Sequence, residues 1–539
     1  MSIHLIRGCP GAGKTRTLSI QAQRAVEAYG ASNVAIASLT KTAAAEIAGR
    51  DTNVPDEQVG TLHAHAFRAL ECTREEMAET GKHLREFAAD HPELDVGDAG
   101  HSDLLDEMPA EGSGVHAAVQ NHRARMTPVE QWSSDEQAYG AAWDDFKQRR
   151  GLRDFTDLIE TAGNDPDILP LMQGLFFDEC ADFSALEFRM LIGWAARAKT
   201  TVLSADPDQA IFQWRGADPA ALAALPFERT IPLAQSYRCS RAVRDAALTW
   251  IDTIEDRTPL IWEPTDEPGE VLEQPLALRD DTDLLDLIRS LDGTVMILTT
   301  CGYMLNGTID MLRREGIPFG NAHRRKEVRW NPCRGPVYTA LSLYLRTRSE
   351  VWGEAVKPRT WGDLHAWTQH VSASGLARGA KAAIEAHCMT DQFGETHAGE
   401  TVPLTTLVDL LGTATHPALR GDVDWWLDAL MLKHRRAGEY AARVYKREPR
   451  ALVAEPRLTV GTVHSVKGGS ADHVLLAPEL SKEGYFGEHG WMGDGRSATV
   501  RLGYVGMTRA RSSVHLLEPA TPEYMPIADV LRETRRAAA

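Results

Sequence analysis

The sequence is poor in the features of a membrane protein, a disulfide scaffold or a metal-cluster protein. No stretch approaches the roughly 20 consecutive apolar residues that a spanning helix needs, so no membrane partner is expected. The seven cysteines (Cys9, Cys72, Cys180, Cys239, Cys301, Cys333, Cys388) are odd in number and scattered through 539 residues, with no CxxC pair. That spacing speaks against a disulfide framework and a clustered zinc or iron–sulfur site, and fits a reducing, cytoplasmic location. The opening MSIHLIRGCPGAGKT lacks secretory-signal form, because its short apolar stretch runs straight into a glycine loop. Net positive charge is missing too: the formal balance is −18. This weakens non-specific attraction to nucleic acid without excluding a local basic groove, because local patches set phosphate affinity.

The length suits three or four domains, and a composition of 43% hydrophobic and 25% charged residues is that of a globular protein. A short strand at Ile3–Ile6 leads into a glycine loop and a helix over Lys14–Tyr29. Val34–Ser38 reads as a second strand and Thr40–Gly49 as a helix closed by glycine. Strand–helix alternation at this spacing predicts an α/β fold with parallel sheets. The pattern breaks at about Cys72 and returns with strands at Leu175–Phe177 and Thr200–Ser204. A second alternating unit starts at Val295–Thr300 and resumes at Leu458–Thr462 and Asp472–Pro478. The expected organisation is a first sheet domain in segments 1–71 and 151–235, interrupted by an acidic helical insertion over 72–150. A second sheet domain would occupy 236–335 and 451–539, interrupted by a helical insertion over 336–450, with the Ala-rich end a frayed tail. Basic clusters at His323–Arg334 and Lys433–Arg450 are either phosphate contacts or solvated helix faces.

Chemistry concentrates in short motifs. GCPGAGKT supplies Gly8, Cys9, Pro10, Gly11, Ala12, Gly13, Lys14 and Thr15 between a strand and a helix. Backbone N–H groups freed by the glycines can surround phosphates at a helix N-terminus, Lys14 can pair with the β- and γ-phosphates, and Thr15 can ligate magnesium. In LFFDEC an apolar strand delivers Asp178 and Glu179 to its C-terminal end, where α/β sheets bind ligands. Asp178 suits the magnesium and Glu179 the attacking water of a phosphoryl transfer. Such a reaction also needs cations where charge develops, and Arg215, Arg238 and Arg509 lie inside three further motifs, hundreds of residues apart. The expected substrate is ATP with Mg2+.

With these motifs in hand, the sequence resembles the superfamily 1 helicases of the UvrD/Rep/PcrA type, from about residue 3 to 517 and least well in the two insertions. The resemblance rests most on DQAIFQWRGAD at Asp208–Asp218 and YVGMTRAR at Tyr504–Arg511, supported by DFTDLI at Asp154–Ile159, GTLHAHAF at Gly60–Phe67 and TVHSVKGG at Thr462–Gly469. It implies two RecA-like P-loop motor domains, each with a mostly helical insertion. Gln209 would sense the γ-phosphate, with Arg215, Arg238 and Arg509 as its cationic partners, and Tyr237 would stack on adenine. Phe212 and Trp214 would carry DNA bases, while Thr61, His63, Thr462 and His464 contact the strand, and Lys467 links the second motor domain to DNA and nucleotide. Departures are Leu39 in place of a phenylalanine, Ala181 in place of a glutamine and Ser470 in place of a carboxylate. Only seven residues precede Gly8, so an upstream adenine-reading glutamine is missing and nucleotide selectivity is expected to rest on Tyr237. Together these mark a diverged member of the kind phages encode.

The resemblance implies 3′→5′ movement on single-stranded DNA, action at single/double-strand junctions, and a place in DNA repair or replication. The alternative is a DNA-stimulated ATPase that remodels protein–DNA complexes without productive unwinding. A nuclease module is not expected in the roughly 20 residues after Leu517, and a non-catalytic scaffold would not need Lys14, Asp178, Glu179 and Arg509 together.

Overall fold

The computed structural model describes residues 2–39, 44, 47, 49–50, 52–79, 81–94, 96, 114–255, 257–324, 327–389 and 396–538. Most of the helix expected over Thr40–Gly49 and part of the acidic insertion lie outside the described residues.

Two six-stranded sheets organise an α/β chain. The first contains β1 (Ile3–Gly8), β2 (Val34–Ser38), β3 (Val59–Thr61), β4 (Gly174–Asp178), β5 (Thr200–Ala205) and β6 (Arg229–Leu233), in the order β3-β2-β4-β5-β1-β6 with every pairing parallel. Strands β2 and β4 are buried along their whole length, which is why VAIAS and GLFFD read as continuous small or apolar runs. β6 lies at an edge, where Pro232 removes no ladder donor that the sheet needs. Register places Ser38 opposite Asp178 and Arg7 opposite Ala205, so the C-terminal ends of β1, β2, β4 and β5 come out on one rim. The second sheet contains β7 (Glu270–Glu273), β8 (Val295–Thr299), β9 (Phe319–Gly320), β10 (Leu458–Thr462), β11 (Ala471–Leu476) and β12 (Ala510–Leu516), in the order β7-β12-β11-β8-β10-β9. These are two RecA-like sheets.

By compactness the chain divides into two units. The first comprises Met1–Ala277, Leu298–Cys301 and Thr462–Ala539, and the second comprises Leu278–Ile297 and Gly302–Gly461. In the first unit, the helices Val115–Arg125 and Ser134–Arg150 of the early insertion pack around Phe87, Val119, Tyr139, Trp143 and Phe146. The C-terminal segment forms a helix over Ile527–Ala538, contrary to the expected frayed tail. Ile527 and Leu531, four residues apart and both buried, give that helix an inward face.

The second unit is mainly helical around Tyr344, Trp367 and Trp426. Among the described residues of its basic runs, Arg324 is buried beside Glu327, Arg436 meets Asp310 and Lys446 meets Asp424 at the surface, and Arg447 donates to the Glu315 carbonyl. Among the described residues no helix is long and apolar enough to cross a membrane.

Candidate functional site

All the residues singled out for chemistry fall in the first unit. Between β1 and the helix Lys14–Tyr29, Gly11 and Gly13 adopt left-handed φ values of +73° and +77°. A side chain at Gly11 would also strike the Arg238 Cβ at 2.5 Å, so glycine there is both conformational and steric. Lys14 Nζ donates to the carbonyls of Gly8 (3.1 Å) and Cys9 (3.4 Å) and lies 3.8 Å from the Asp206 carboxylate. The Cys9 thiol donates to the Ala234 carbonyl at 3.2 Å, and burial pushes it up to about 12.

Thr15 Oγ1 donates to Asp178 Oδ2 at 2.7 Å, and Ser204 donates to the other Asp178 oxygen. Burial, then the neighbouring Glu179, raises the Asp178 carboxyl to about 6. Glu179 follows in the left-handed region at φ +55°, a strained backbone for a non-glycine residue directly after a strand. Burial opposes its ionisation, but Lys467, Lys14 and Arg509 more than offset that and hold its carboxyl below the usual range. The two adjacent carboxyls are thus driven apart in acidity.

A chain of polar contacts joins the ends of the sequence. Arg509, 1% exposed, donates to the Gln209 side-chain oxygen at 2.8 Å. Gln209 in turn donates to Asp206, which faces Lys14. Arg509 also donates to the carbonyls of Val505 (3.0 Å) and Gly469 (3.3 Å). Arg238 donates to the Thr508 carbonyl at 3.3 Å, and the preceding Tyr237 amide donates to the Gly11 carbonyl at 3.0 Å. The Tyr237 ring stands 77% exposed beside the glycine loop, available for stacking.

Arg215 is placed elsewhere. It pairs with the buried Glu187 at 3.3 Å and lies over the Phe212 ring at 5.9 Å, with His63 4.0 Å from the same Glu187 oxygen. No contact of Arg215 with the glycine loop occurs among the described residues. Burial, which outweighs the neighbouring Glu187, lowers His63 to about 4, so its ring is neutral near pH 7.

Phe212, Trp214 and His464 form a ring cluster with centroid separations of 6.3, 5.7 and 6.3 Å. The two Thr-x-His elements have a shared geometry. Thr61 ends β3 and caps the helix Leu62–Ala69 by accepting from Ala64 N, while Thr462 ends β10 and accepts from Ser465 N. In each, the inward threonine sets the turn that presents the histidine two residues later. Trp214 and His464 line a cleft of about 960 Å3 together with Arg7, Arg125 and Arg501. Arg125 donates to the Gln213 carbonyl (2.9 Å) and Arg501 to the Pro207 carbonyl (3.0 Å).

Sequence reasoning missed Arg125, Arg501, Asp182 and Glu187. The acidic pair was legible as DECAD and a Ser-x-x-Glu capping box at Ser184–Glu187, which marks a helix start without revealing that Glu187 also holds Arg215.

Residues 2–228 match the UvrD/REP helicase N-terminal domain family. The ATP-dependent DNA helicase PcrA of Bacillus subtilis is 25% identical over 301 residues, which is 49% of this chain and 39% of that protein. PcrA of Staphylococcus aureus is 25% identical over 287 residues (47% and 38%), and PcrA of Leuconostoc citreum 30% over 137 residues (23% and 18%). The match with the Bacillus protein thus spans about two-fifths of that relative's length. The phosphate loop, the acidic pair and the DQAIFQWRGAD loop, gathered at one sheet rim, all lie within residues 2–228, the part of the chain that is similar to the UvrD/REP helicase N-terminal domain.

Proposed function

We propose that the chain is an ATP-driven motor that moves along single-stranded DNA, 3′→5′, and opens duplex at single/double-strand junctions. One observation carries this reading: a single loop places Gln209 against the phosphate-loop network and Trp214, with the buried Phe212 behind it, beside a cleft lined in part by Arg7, Arg125 and Arg501. Few residues separate the two ends, so a change at one is felt at the other. The proposed motor domains are 1–71 with 151–235, and 236–335 with 451–539, carrying insertions 72–150 and 336–450.

In this reading the glycine loop and Lys14 bind the phosphates, and Tyr237 stacks on the base. The donor set fits magnesium, because a hydroxyl and a carboxylate, both hard oxygens, meet at Thr15 and Asp178. Those two residues would hold the ion, which when bound shields charge on the phosphate oxygens. Glu179, kept ionised by its cationic neighbours, accepts the proton of the attacking water. Gln209 orients that water, and Arg238 and Arg509 neutralise charge as it develops. Arg215, tied to Glu187, steadies the aromatic platform. Phe212, Trp214, His63 and His464 face the bases, with Thr61 and Thr462 setting the two histidine turns, and Arg125 and Arg501 face the phosphates.

Lys14→Ala should abolish DNA-stimulated ATP turnover in a protein with unchanged circular dichroism. Retained turnover would remove the loop from the reaction.

A second reading, a translocase that remodels protein–DNA complexes without productive unwinding, is favoured by one observation. Four of the described basic residues of the second unit, Arg324, Arg436, Lys446 and Arg447, already face acidic or carbonyl partners and would have to give these up to grip a duplex. A forked-duplex assay beside a single-strand translocation assay separates the two.

A further inference from the structure

Asp182 and Lys467 lie 285 positions apart in sequence and meet in a side-chain ion pair, Asp182 fully buried and Lys467 nearly so. One Asp182 oxygen accepts the backbone N–H groups of Ile211 (3.0 Å) and Phe212 (3.3 Å), fixing the start of the aromatic platform. The other oxygen takes the Lys467 ammonium. That ammonium also donates to the Gln209 carbonyl at 2.8 Å, lies 3.6 Å from the Glu179 carboxylate and sits 5.6 Å from the Phe212 ring. One cation therefore faces the catalytic carboxylate, the backbone of the γ-phosphate sensor and the face of a base-stacking ring at once.

The span between these points is short. Gln209 and Phe212 are three residues apart, at most about 11 Å of extended chain. A flexible loop would absorb a displacement over that distance, but this one is pinned at several places. Asp182 holds Ile211 and Phe212, Glu187 holds Arg215, Arg125 holds the Gln213 carbonyl, and Phe183 O accepts from Asp218 N at 2.8 Å.

We propose that Asp182 and Lys467 form a positioning pair through which a strand resting on Phe212 and Trp214 sets the placement of Glu179 and Gln209, and so licenses hydrolysis. A base stacked on Phe212 competes for the ring face that Lys467 now shares. The ammonium then shifts along Asp182, changing its distance to Glu179 and its pull on the Gln209 carbonyl. Neither residue touches the reacting atoms; both act through residues that do. The inference rests on the DNA-motor reading.

The test compares ATP turnover with and without saturating oligothymidylate, and oligothymidylate affinity by fluorescence anisotropy. The proteins are wild type, Asp182→Asn, Lys467→Met, Lys467→Arg, Trp214→Ala and the Asp182→Asn/Trp214→Ala double variant. Stimulation by the oligonucleotide should fall at least about fivefold in Asp182→Asn and Lys467→Met, the lower end of coupling between linked sites, with the loss in kcat and oligonucleotide affinity unchanged. Lys467→Arg, which keeps the charge, should retain most of the stimulation. The double variant should lose no more stimulation than its worse parent, because both act on one path. Wild-type stimulation in Asp182→Asn, or losses that add in the double variant, would overturn the proposal. An unstimulated wild-type protein would instead sink the motor reading. Should Asp182→Asn not fold, Lys467→Met makes the same comparison. If neither folds, the pair is a structural strut and the proposal fails.

Discussion

Arg509 gives the sharpest forecast because its surroundings oppose its charge. Burial and then the adjacent Arg238 push its guanidinium from the ordinary arginine value down to about 9. A fall of that size is on the order of 5 kcal/mol against the charged form. Arg509 is a base with a depressed folded-state pKa, so the cost is fully present at every pH below about 9. It fades only as pH climbs from there toward the ordinary arginine value.

Replacing Arg509 by methionine removes that cost. It also strips donors from the carbonyls of Val505 and Gly469 and from the Gln209 side chain, roughly 1 kcal/mol each. The balance leaves Arg509→Met about as stable as wild type or about 2 kcal/mol more stable, a rise of up to a few degrees in Tm. Nucleotide reverses the sign. A non-hydrolysable ATP analogue with magnesium at 100 times its Kd should stabilise wild type by about 2.7 kcal/mol. The variant should gain much less, and its turnover should fall by about a thousandfold or more. Differential scanning fluorimetry with and without the analogue, beside steady-state ATPase, reads all three. A variant that melts well below wild type yet keeps the whole analogue-induced shift would refute the reasoning and make Arg509 a structural residue.

Trp214→Ala should weaken single-strand affinity by about 1–3 kcal/mol, the value of one stacked base, and leave binding of the ATP analogue unchanged; equal losses in both would remove Trp214 from the strand path. The Asp178 carboxyl is raised to about 6, so the ionised form able to hold a cation is lost as pH falls through about 6, and magnesium affinity should fall with it. Ser204→Ala deletes a hydrogen bond that favours the carboxylate, so this acid limb should move to higher pH; a limb unmoved in isothermal titrations would assign it to another group.

Strands β2 and β10 and the helix Lys14–Tyr29 were legible to the residue, because buried apolar runs and a glycine loop are local signals. β6 was not: RTIPL is half exposed and carries a proline, so nothing in its own sequence marks it as an edge strand. The C-terminal helix was hidden by its Arg- and Ala-rich end, although Ile527 and Leu531 carry its periodicity. The motifs singled out residues that the fold brings together around the glycine loop, yet they could not say that Arg215 turns toward Glu187, because that pairing depends on how two segments 28 residues apart fold together. Thr61 and Thr462 illustrate the same limit. A threonine beside a histidine reads as a second contact residue, and its local pattern does not reveal that its hydroxyl also accepts the N–H that sets the turn. Arg125 and Arg501 carry no local pattern, and their partners lie 88 and 294 residues away; Asp182 is visible in DECAD, but its lysine partner lies 285 residues away.

The charge distribution explains why so polar a centre is kept inside the first unit. Four carboxylates (Asp178, Glu179, Asp182 and Asp206) share the site with four cations, Lys14, Lys467, Arg238 and Arg509. Apolar residues of similar volume would stabilise the fold at least as well, because buried ion pairs rarely repay their desolvation. The pairing is also uneven. Lys14 and Lys467 lie within 4 Å of carboxylates, whereas burial and Arg238 push Arg509 away from its charged form. Asp178 and Asp206 are driven toward protonation, mainly by burial. A triphosphate relieves the arginines, and a divalent cation beside Asp178 relieves the carboxylates. Each ligand removes the strain that the other leaves, so the two should bind with positive linkage. The same logic makes the site weaker for a diphosphate than for a triphosphate, because the missing γ-oxygens would leave the Arg238–Arg509 repulsion in place.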